Sequence, residues 1–411
     1  MKVLHLCTGQ PITYNGGITN YVRSLAEMQV KKGYEVVVVG GKDSRATDLP
    51  FKYVQYHDFY VKPYTLRENK SIFAYKRLEK IIKKENPDLI HIHMVLDADE
   101  RLYKILDKYK IKYLVSLHDY TFLCPKIQMF RDNHPCEKVS ENCKYCAHFL
   151  EQRFFLKKMS DILKIDKKIG KKHSPKFLTM YEHNKKLLEG ADLLLPVSNR
   201  VKEIYEKSDI KNDYKVLHIG NITANSFKKY EIKKQKDESK IKVLMLGNFS
   251  NIKGGNEFVK IANKLNDKFE FYFLGRSSNE EKEKMKNNNI IDKGEYKQKD
   301  LPKLLKEYDF GCVLSIWEDN GPQVVMELLN NNIPVIGTEM GGIPDFVRDG
   351  ENGFLYNPYS KESFDDLIKK LENLTFEDCE NMKKRVKRTL TPEEHFEELD
   401  KEYKEILGSI D

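Results

Sequence analysis

Short apolar, β-branched runs recur along the chain, separated by longer stretches in which apolar residues return every third or fourth position. The first pattern predicts strands and the second amphipathic helices, and their alternation predicts parallel sheets wrapped by helices, an α/β fold. In the first half the predicted strands are 3–7, 35–39, 89–93, 113–117, 193–197 and 215–219. Ile18, Tyr21, Val22, Leu25, Ala26 and Val30 form one face of a helix between the first two. Apolar content falls across 226–240 (SFKKYEIKKQKDESK), and the alternation restarts with predicted strands at 241–247, 269–274, 310–315 and 333–337. Helices are expected at 255–266, 299–308 and 321–331. Thr391 as a cap, with Pro392 in the first turn, predicts a closing helix. This divides the chain into a domain at 1–225, a linker at 226–240, a second domain at 241–390 and a final helix at 391–411.

A length of 411 residues agrees with two domains, and 40% hydrophobic with 33% charged residues describes a folded chain. No apolar run approaches the roughly 18 residues that span a bilayer, and the run after Met1 is too short for a secretory signal. A cytoplasmic chain is therefore expected. The net charge of +8 comes from scattered lysines, which argues against nucleic acid and fits phosphorylated substrates or an anionic membrane surface. At 153–173, Phe154, Phe155, Leu156, Ile162, Leu163, Ile165 and Ile169 mix with lysines; such a basic amphipathic stretch either docks peripherally on anionic lipid or packs on its own domain. Seven cysteines without an export signal point to reduced thiols or a metal rather than disulfides.

The densest chemistry lies in 315–358, SIWEDNGPQVVMELLNNNIPVIGTEMGGIPDFVRDGENGFLYNP. A strand ends there in a turn, and a helix follows whose start Asp319 or Asn320 is suited to cap. That helix would aim free N–H groups out of the carboxyl edge of the sheet, where α/β proteins bind phosphates. Glu327, inside the helix, could accept hydrogen bonds from a ribose diol. In the first half Tyr14-Asn15-Gly16-Gly17-Ile18 joins the first strand to the first helix, and its glycines allow a ligand close to the backbone. The G-x-G-x-x-G fingerprint is absent, against an ordinary dehydrogenase.

Asp319 and Glu327 bracketing seven residues, then Ile333-Pro334-Val335-Ile336, Gly341-Gly342-Ile343-Pro344-Asp345 and Asp349-Gly350-Glu351-Asn352-Gly353, resemble the signature of glycosyltransferase family 4. The resemblance implies a GT-B architecture: two Rossmann-like domains facing a central cleft, with the last helix crossing back to the first domain. It implies a retaining glycosyltransferase that takes a nucleoside diphosphate sugar, UDP- or GDP-linked, without a catalytic metal. The acceptor would be a glycan or a lipid-linked sugar. Asp319 stands where the family has glutamate contacting the transferred sugar, and Asn320, Gly321, Val324 and Glu327 complete the implied donor contacts. LGNFSNIKGG resembles the family's strand ending in Gly-Arg with a following Lys-Gly, so Lys253 is assigned to the diphosphate. Asn248 replaces the usual arginine, leaving Lys253, helix dipoles or Arg276 to carry its share. Gly16 and Gly17 match the family's glycine loop, and His118, beside Asp119, matches a position near the sugar.

Cys124, Cys136, Cys143 and Cys146 fall in one insertion ending in Cys-x-x-Cys, a spacing suited to structural zinc. Asp97-Ala98-Asp99 reads as the start of a helix rather than a metal motif. His91 and His93 share one face of a strand and read as packing residues. Two other readings stand: an epimerase or phosphorylase on the same architecture, decided by the products formed, and a non-catalytic glycan- or lipid-binding protein, decided by whether a donor binds at all.

Overall fold

A computed structural model of the protein describes residues 1–8, 10–56, 72–95, 100–146, 176–231, 240–265 and 268–408. The chain divides into two units, one formed by Met1–Phe130, Cys136–Leu217 and His395–Asp411, the other by Arg131–Pro135 and His218–Glu394.

The first unit is built on six parallel strands, β1 (Lys2–Cys7), β2 (Glu35–Gly40), β3 (Lys52–Gln55), β4 (Leu89–Met94), β5 (Tyr113–Leu117) and β6 (Leu193–Pro196), in the order β3-β2-β1-β4-β5-β6. Helices α1 (Gly17–Lys31), α2 (Ile72–Glu85), α3 (Glu100–Tyr109) and α4 (Lys176–Glu189) lie between its strands in sequence, and α5 (Asn199–Lys207) follows β6. The second unit repeats the plan with β7 (Ile241–Asn248), β8 (Phe269–Arg276), β9 (Ile290–Asp292), β10 (Phe310–Val313), β11 (Val335–Thr338) and β12 (Gly353–Tyr356), ordered β9-β8-β7-β10-β11-β12. Its helices are α6 (Gly255–Lys264), α7 (Asn279–Asn287), α8 (Leu301–Leu304), α9 (Gln323–Leu329), α10 (Lys361–Glu372) and α11 (Phe376–Arg385). Each sheet thus has the strand order of a Rossmann-like fold, reversing direction of growth beside its first strand.

Both faces of such a sheet are covered, so its central strands are mostly apolar and alternate residues feed different cores. Ile241, Val243 and Met245 of β7 join Phe269, Phe271 and Phe273 of β8 in one core, whereas Leu244 and Leu246 join Tyr272 and Leu274 in the other.

Several boundaries differ from the sequence expectation. The predicted strand 215–219 is not one: Tyr214 bridges Leu194, and only the amides of Lys215 and Leu217 then reach β6, so the segment lies along the sheet edge without a continuous ladder. The predicted helix 299–308 is the short α8 between two 3-10 turns, Gln298–Asp300 and Leu305–Glu307. The chain enters the second unit at His218, before the charged connector, because Asn221 hydrogen-bonds the Leu390 carbonyl and Thr223 meets Asn330. Residues 232–239 of that connector lie outside the described ones.

The final helix α12 (Pro392–Leu407) begins in the second unit and ends in the first. Thr391 and Glu394 cap it reciprocally, the Glu394 amide reaching Thr391 Oγ1 at 3.1 Å and the Thr391 amide reaching Glu394 Oε2 at 2.9 Å. Arg388 binds both Glu394 oxygens at 2.6 Å and, with the cap, pulls that carboxyl down to about 2. Phe396, Leu399 and Tyr403 of α12 are buried, closing the core of the first unit.

Candidate active site

In the second unit, β10 ends at Val313 and its continuation is held open at the carboxyl edge of the sheet. The Thr338 hydroxyl ties down the Ser315 carbonyl at 2.7 Å. Asp319 receives the Ser315 hydroxyl at 2.9 Å and the Lys253 ammonium at 2.7 Å on the same oxygen, Oδ2. Lys253 also lies 5.0 Å from the centre of the Trp317 ring, a cation–π contact.

Two glycines make this arrangement sterically attainable. Gly341 has φ +57°, and a Cβ there would lie 2.0 Å from the Asp319 carbonyl oxygen. Its amide binds Glu318 Oε2 at 2.9 Å, and the next amide, Gly342, binds the Asp319 carbonyl at 2.7 Å. Gly254, with φ +87°, would carry a Cβ 2.0 Å from the Leu314 carbonyl oxygen. The Gly-Gly turn therefore clamps one side of the 315–320 loop while the Lys253-Gly254 turn meets the other.

Neither Asp319 nor Asn320 caps α9. The N-cap is Pro322 without a side-chain bond, because the helix starts only at Gln323 and leaves both residues in the preceding loop. There Asn320 Oδ1 and Trp317 Nε1 are buried with no hydrogen-bond partner among the described residues. Each such group left unpaired costs about 1–3 kcal/mol, and these two lie on either side of Asp319 in the sequence. Gly321 and Val324 flank them, both half-buried.

Glu327 is buried on α9, with one hydrogen bond, from Gln298 Nε2 at 3.0 Å. Burial raises its carboxyl to about 7, the Gln298 bond opposing. Asn248 and Arg276 are register partners at the ends of β7 and β8, both exposed; Arg276 pairs with Glu295 at 3.1 Å.

In the first unit Gly16 is the N-cap of α1, and Gly17 has open space where a Cβ would stand. The Thr19 hydroxyl anchors the loop on the Tyr14 carbonyl at 2.6 Å. His118 follows β5; its Nε2 lies 3.1 Å from Nδ1 of His93, and the ring packs edge-on against Tyr21 at 4.7 Å. Burial holds His118 neutral, pushing its imidazole down to about 3.

The four clustered cysteines stand as thiols, Cys124 buried and Cys136, Cys143 and Cys146 half-buried. Zinc–sulfur bonds of about 2.3 Å would bring the sulfurs within about 4 Å of each other. Among the described residues the group of three or more His, Cys, Asp or Glu whose ligand atoms lie within 4.8 Å is His5, His91 and His93, and no set of three of these cysteines does so. Histidines read from the sequence as packing residues are thus the more concentrated donor set. Asp97, Asp99 and the basic stretch 153–173 lie outside the described residues. Ser315, Glu318 and Trp317, which hold the loop and Lys253, were not singled out by sequence; the family spacing marks Asp319 and Glu327, while these three act through side-chain contacts that only the folded loop brings about.

The two repeated sheets define an α/β protein of two Rossmann-like units, the architecture of GT-B glycosyltransferases. Over its whole length it resembles a sucrose-phosphate synthase of Thermosynechococcus elongatus, with TM-score 0.67, 15% identity and 100% of both chains covered. It likewise resembles Anabaena HepE in complex with UDP, with TM-score 0.63, 14% identity and 100% of both chains covered. Among curated proteins, an uncharacterized 41.2 kDa protein in the cps region of Klebsiella pneumoniae is 28% identical over 161 residues, 39% of this chain and 42% of that one, so the match spans under half of that relative. Residues 15–220 match Glycosyltransferase Family 4 and residues 226–389 match Glycosyl transferases group 1. The chain belongs to glycosyltransferase family 4.

Proposed function

We propose that the protein transfers a sugar from a nucleoside diphosphate donor, UDP- or GDP-linked, to a glycan or lipid-linked acceptor with retention of anomeric configuration, in the synthesis of a surface polysaccharide or glycolipid. The observation that carries this reading is the Lys253–Asp319 pair beside the unpartnered Asn320 and Trp317 atoms. Anabaena HepE binding UDP and the cps-region location of the Klebsiella relative support it.

In this reading Lys253 turns from Asp319 toward the diphosphate and stabilises the charge that grows on it as the sugar leaves. Asp319, held by Ser315 and the Gly341-Gly342 turn, keeps a carboxylate for the sugar hydroxyls, and Glu327 accepts the ribose diol. On the first unit, the Gly16-Gly17 loop addresses the donor and His118 the transferred sugar. The departing phosphate oxygen takes the acceptor proton on the face it leaves, so no metal step is assigned. Membrane contact through 153–173 belongs to the same proposal; no described helix is long and apolar enough to cross a membrane.

Replacing Lys253 with Ala should lower turnover about 10²- to 10³-fold, the loss typical of one charge-stabilising group, with the thermal transition retained. Unchanged turnover in that folded variant refutes the assignment. A thermal-shift panel of nucleotide sugars identifies the donor, since a ligand at about 100 times its Kd adds about 2.7 kcal/mol. If no nucleotide sugar shifts the transition, the reading fails.

A further inference from the structure

Behind His118 lies a buried row of polar side chains that a sugar contact alone does not explain. His5 on β1 and His91 on β4 are register partners, and His93 stands two residues further on the same face. His118 Nε2 meets His93 Nδ1 at 3.1 Å, His93 Nε2 meets His5 Nδ1 at 2.9 Å, and His5 Nε2 meets Gln29 Oε1 at 2.6 Å. The Gln29 amide nitrogen donates to the Tyr403 hydroxyl at 3.3 Å, and that hydroxyl meets His91 Nδ1 at 2.6 Å. His91 Nε2 continues to Ser116 at 2.7 Å, Ser116 bonds the Tyr21 phenol, and Tyr21 reaches His395 Nε2 at 2.8 Å.

Burial keeps the imidazoles neutral, with His5 pushed down to about 4 and His91 and His93 well below their ordinary value. A neutral imidazole has one donor and one acceptor nitrogen, so each link dictates the next. The Gln29 carbonyl can only accept. His5 must therefore donate through Nε2 and accept through Nδ1; His93 must do the same; and His118 must donate through Nε2. Its Nδ1 is left unprotonated, with no partner among the described residues. A metal held by His5, His91 and His93 would take one ring nitrogen from each, displacing the bond of His5 to His93 or to Gln29 and one of the His91 bonds to Tyr403 and Ser116, so the hydrogen-bonded row, which uses all of them, is the better account of that cluster.

We infer that Gln29, His5 and His93 are positioning residues that fix His118 as its Nε2–H tautomer and present Nδ1 as a hydrogen-bond acceptor for a substrate hydroxyl. The inference rests on the reading of His118 as a sugar contact, but the tautomer itself is measurable without substrate. Nitrogen-15-labelled histidine in the full-length protein, followed by long-range proton–nitrogen correlation, distinguishes protonated from bare ring nitrogens. The His118 signals are assigned by their loss in His118→Asn. The expected wild-type pattern is protonated Nε2 and bare Nδ1 at His5, His93 and His118, with slowly exchanging Nε2–H protons.

In Gln29→Met, a residue of equal length without an acceptor, His118 Nδ1 should gain partial protonation. His93→Phe, which keeps a ring and removes both nitrogens, should abolish the slow exchange at His118 Nε2. It serves as the second arm should Gln29→Met not fold. Turnover should fall in both folded variants while the donor KM stays within about twofold, the sign of an interaction made in the transition state. A His118 proton on Nδ1 in the wild type, or an unchanged His118 pattern in the folded variants, overturns the inference. Unchanged turnover in His118→Asn with the tautomer pattern as expected would instead sink only the sugar-contact reading.

Discussion

Glu327 carries a carboxyl group at about 7 because burial penalises its charge more than the single Gln298 bond relieves it. From an ordinary 4.5, this is a folded-state value raised above the unfolded one. The stabilisation it contributes is complete below about 4.5 and is lost as pH rises through about 7, because the folded chain holds the proton longer. Glu327→Gln should flatten that part of the stability–pH curve, read from denaturant midpoints at fixed m. A ribose diol donating to the carboxylate favours the charged form, so nucleotide binding should release a proton and tighten as pH rises toward about 7. Calorimetry of UDP or GDP binding in two buffers of different ionisation enthalpy measures that release; a buffer-independent heat at pH 6.5 contradicts it.

At the scale of elements, the site depends on loops meeting at carbonyl distance. Gly341→Ala places a methyl group against the Asp319 carbonyl oxygen, in a backbone conformation that L side chains rarely adopt. The variant should lose about 1–3 kcal/mol of stability, and nucleotide affinity should fall with it. Gly350→Ala, also at positive φ but with open space around it, is the control expected to keep nucleotide affinity. This geometry also explains how far the sequence could be read. Most of the central strands were legible because burial on both faces demands unbroken apolar runs such as Val36–Val39, and the acids of the 319–327 loop because their spacing matches a family pattern. The strands β3, β9 and β12 were not: each is only three or four residues long, and β3 and β9 are partly polar. The face of α1 was read from apolar residues alone. That missed Thr19 and Gln29, which are buried there while Ile18 and Val30 are only half-buried. Beyond His91 and His93 on one strand face, the histidine row was not legible, because its other members lie on β1, at the end of β5 and on α12, and only strand register and helix packing bring them together.

For the molecule as a whole, α12 is part of the first unit's interior although it follows the second unit in sequence. Burying Phe396, Leu399 and Tyr403, at about 1.5–3 kcal/mol each, amounts to about 5–9 kcal/mol, comparable to the net stability of a domain. A chain ending at Leu390 should therefore lose the cooperative unfolding of the first unit, detected by hydrogen exchange in β1 and β4, while β7 and β8 stay protected. Equal protection of β1 with and without α12 would contradict this.

That connectivity also sets a schedule for the protein's birth on the ribosome. Leu217 emerges well before Tyr403, and at 5–20 residues per second the interval is about 10–40 s. Throughout it the nascent first half holds an uncovered apolar sheet face and an open row of imidazoles, and must wait for the last helix before that surface leaves water. The newly made chain is thus most exposed to aggregation and chaperone capture during synthesis of its other half, and a stalled or truncated message would yield a polypeptide whose leading half never closes.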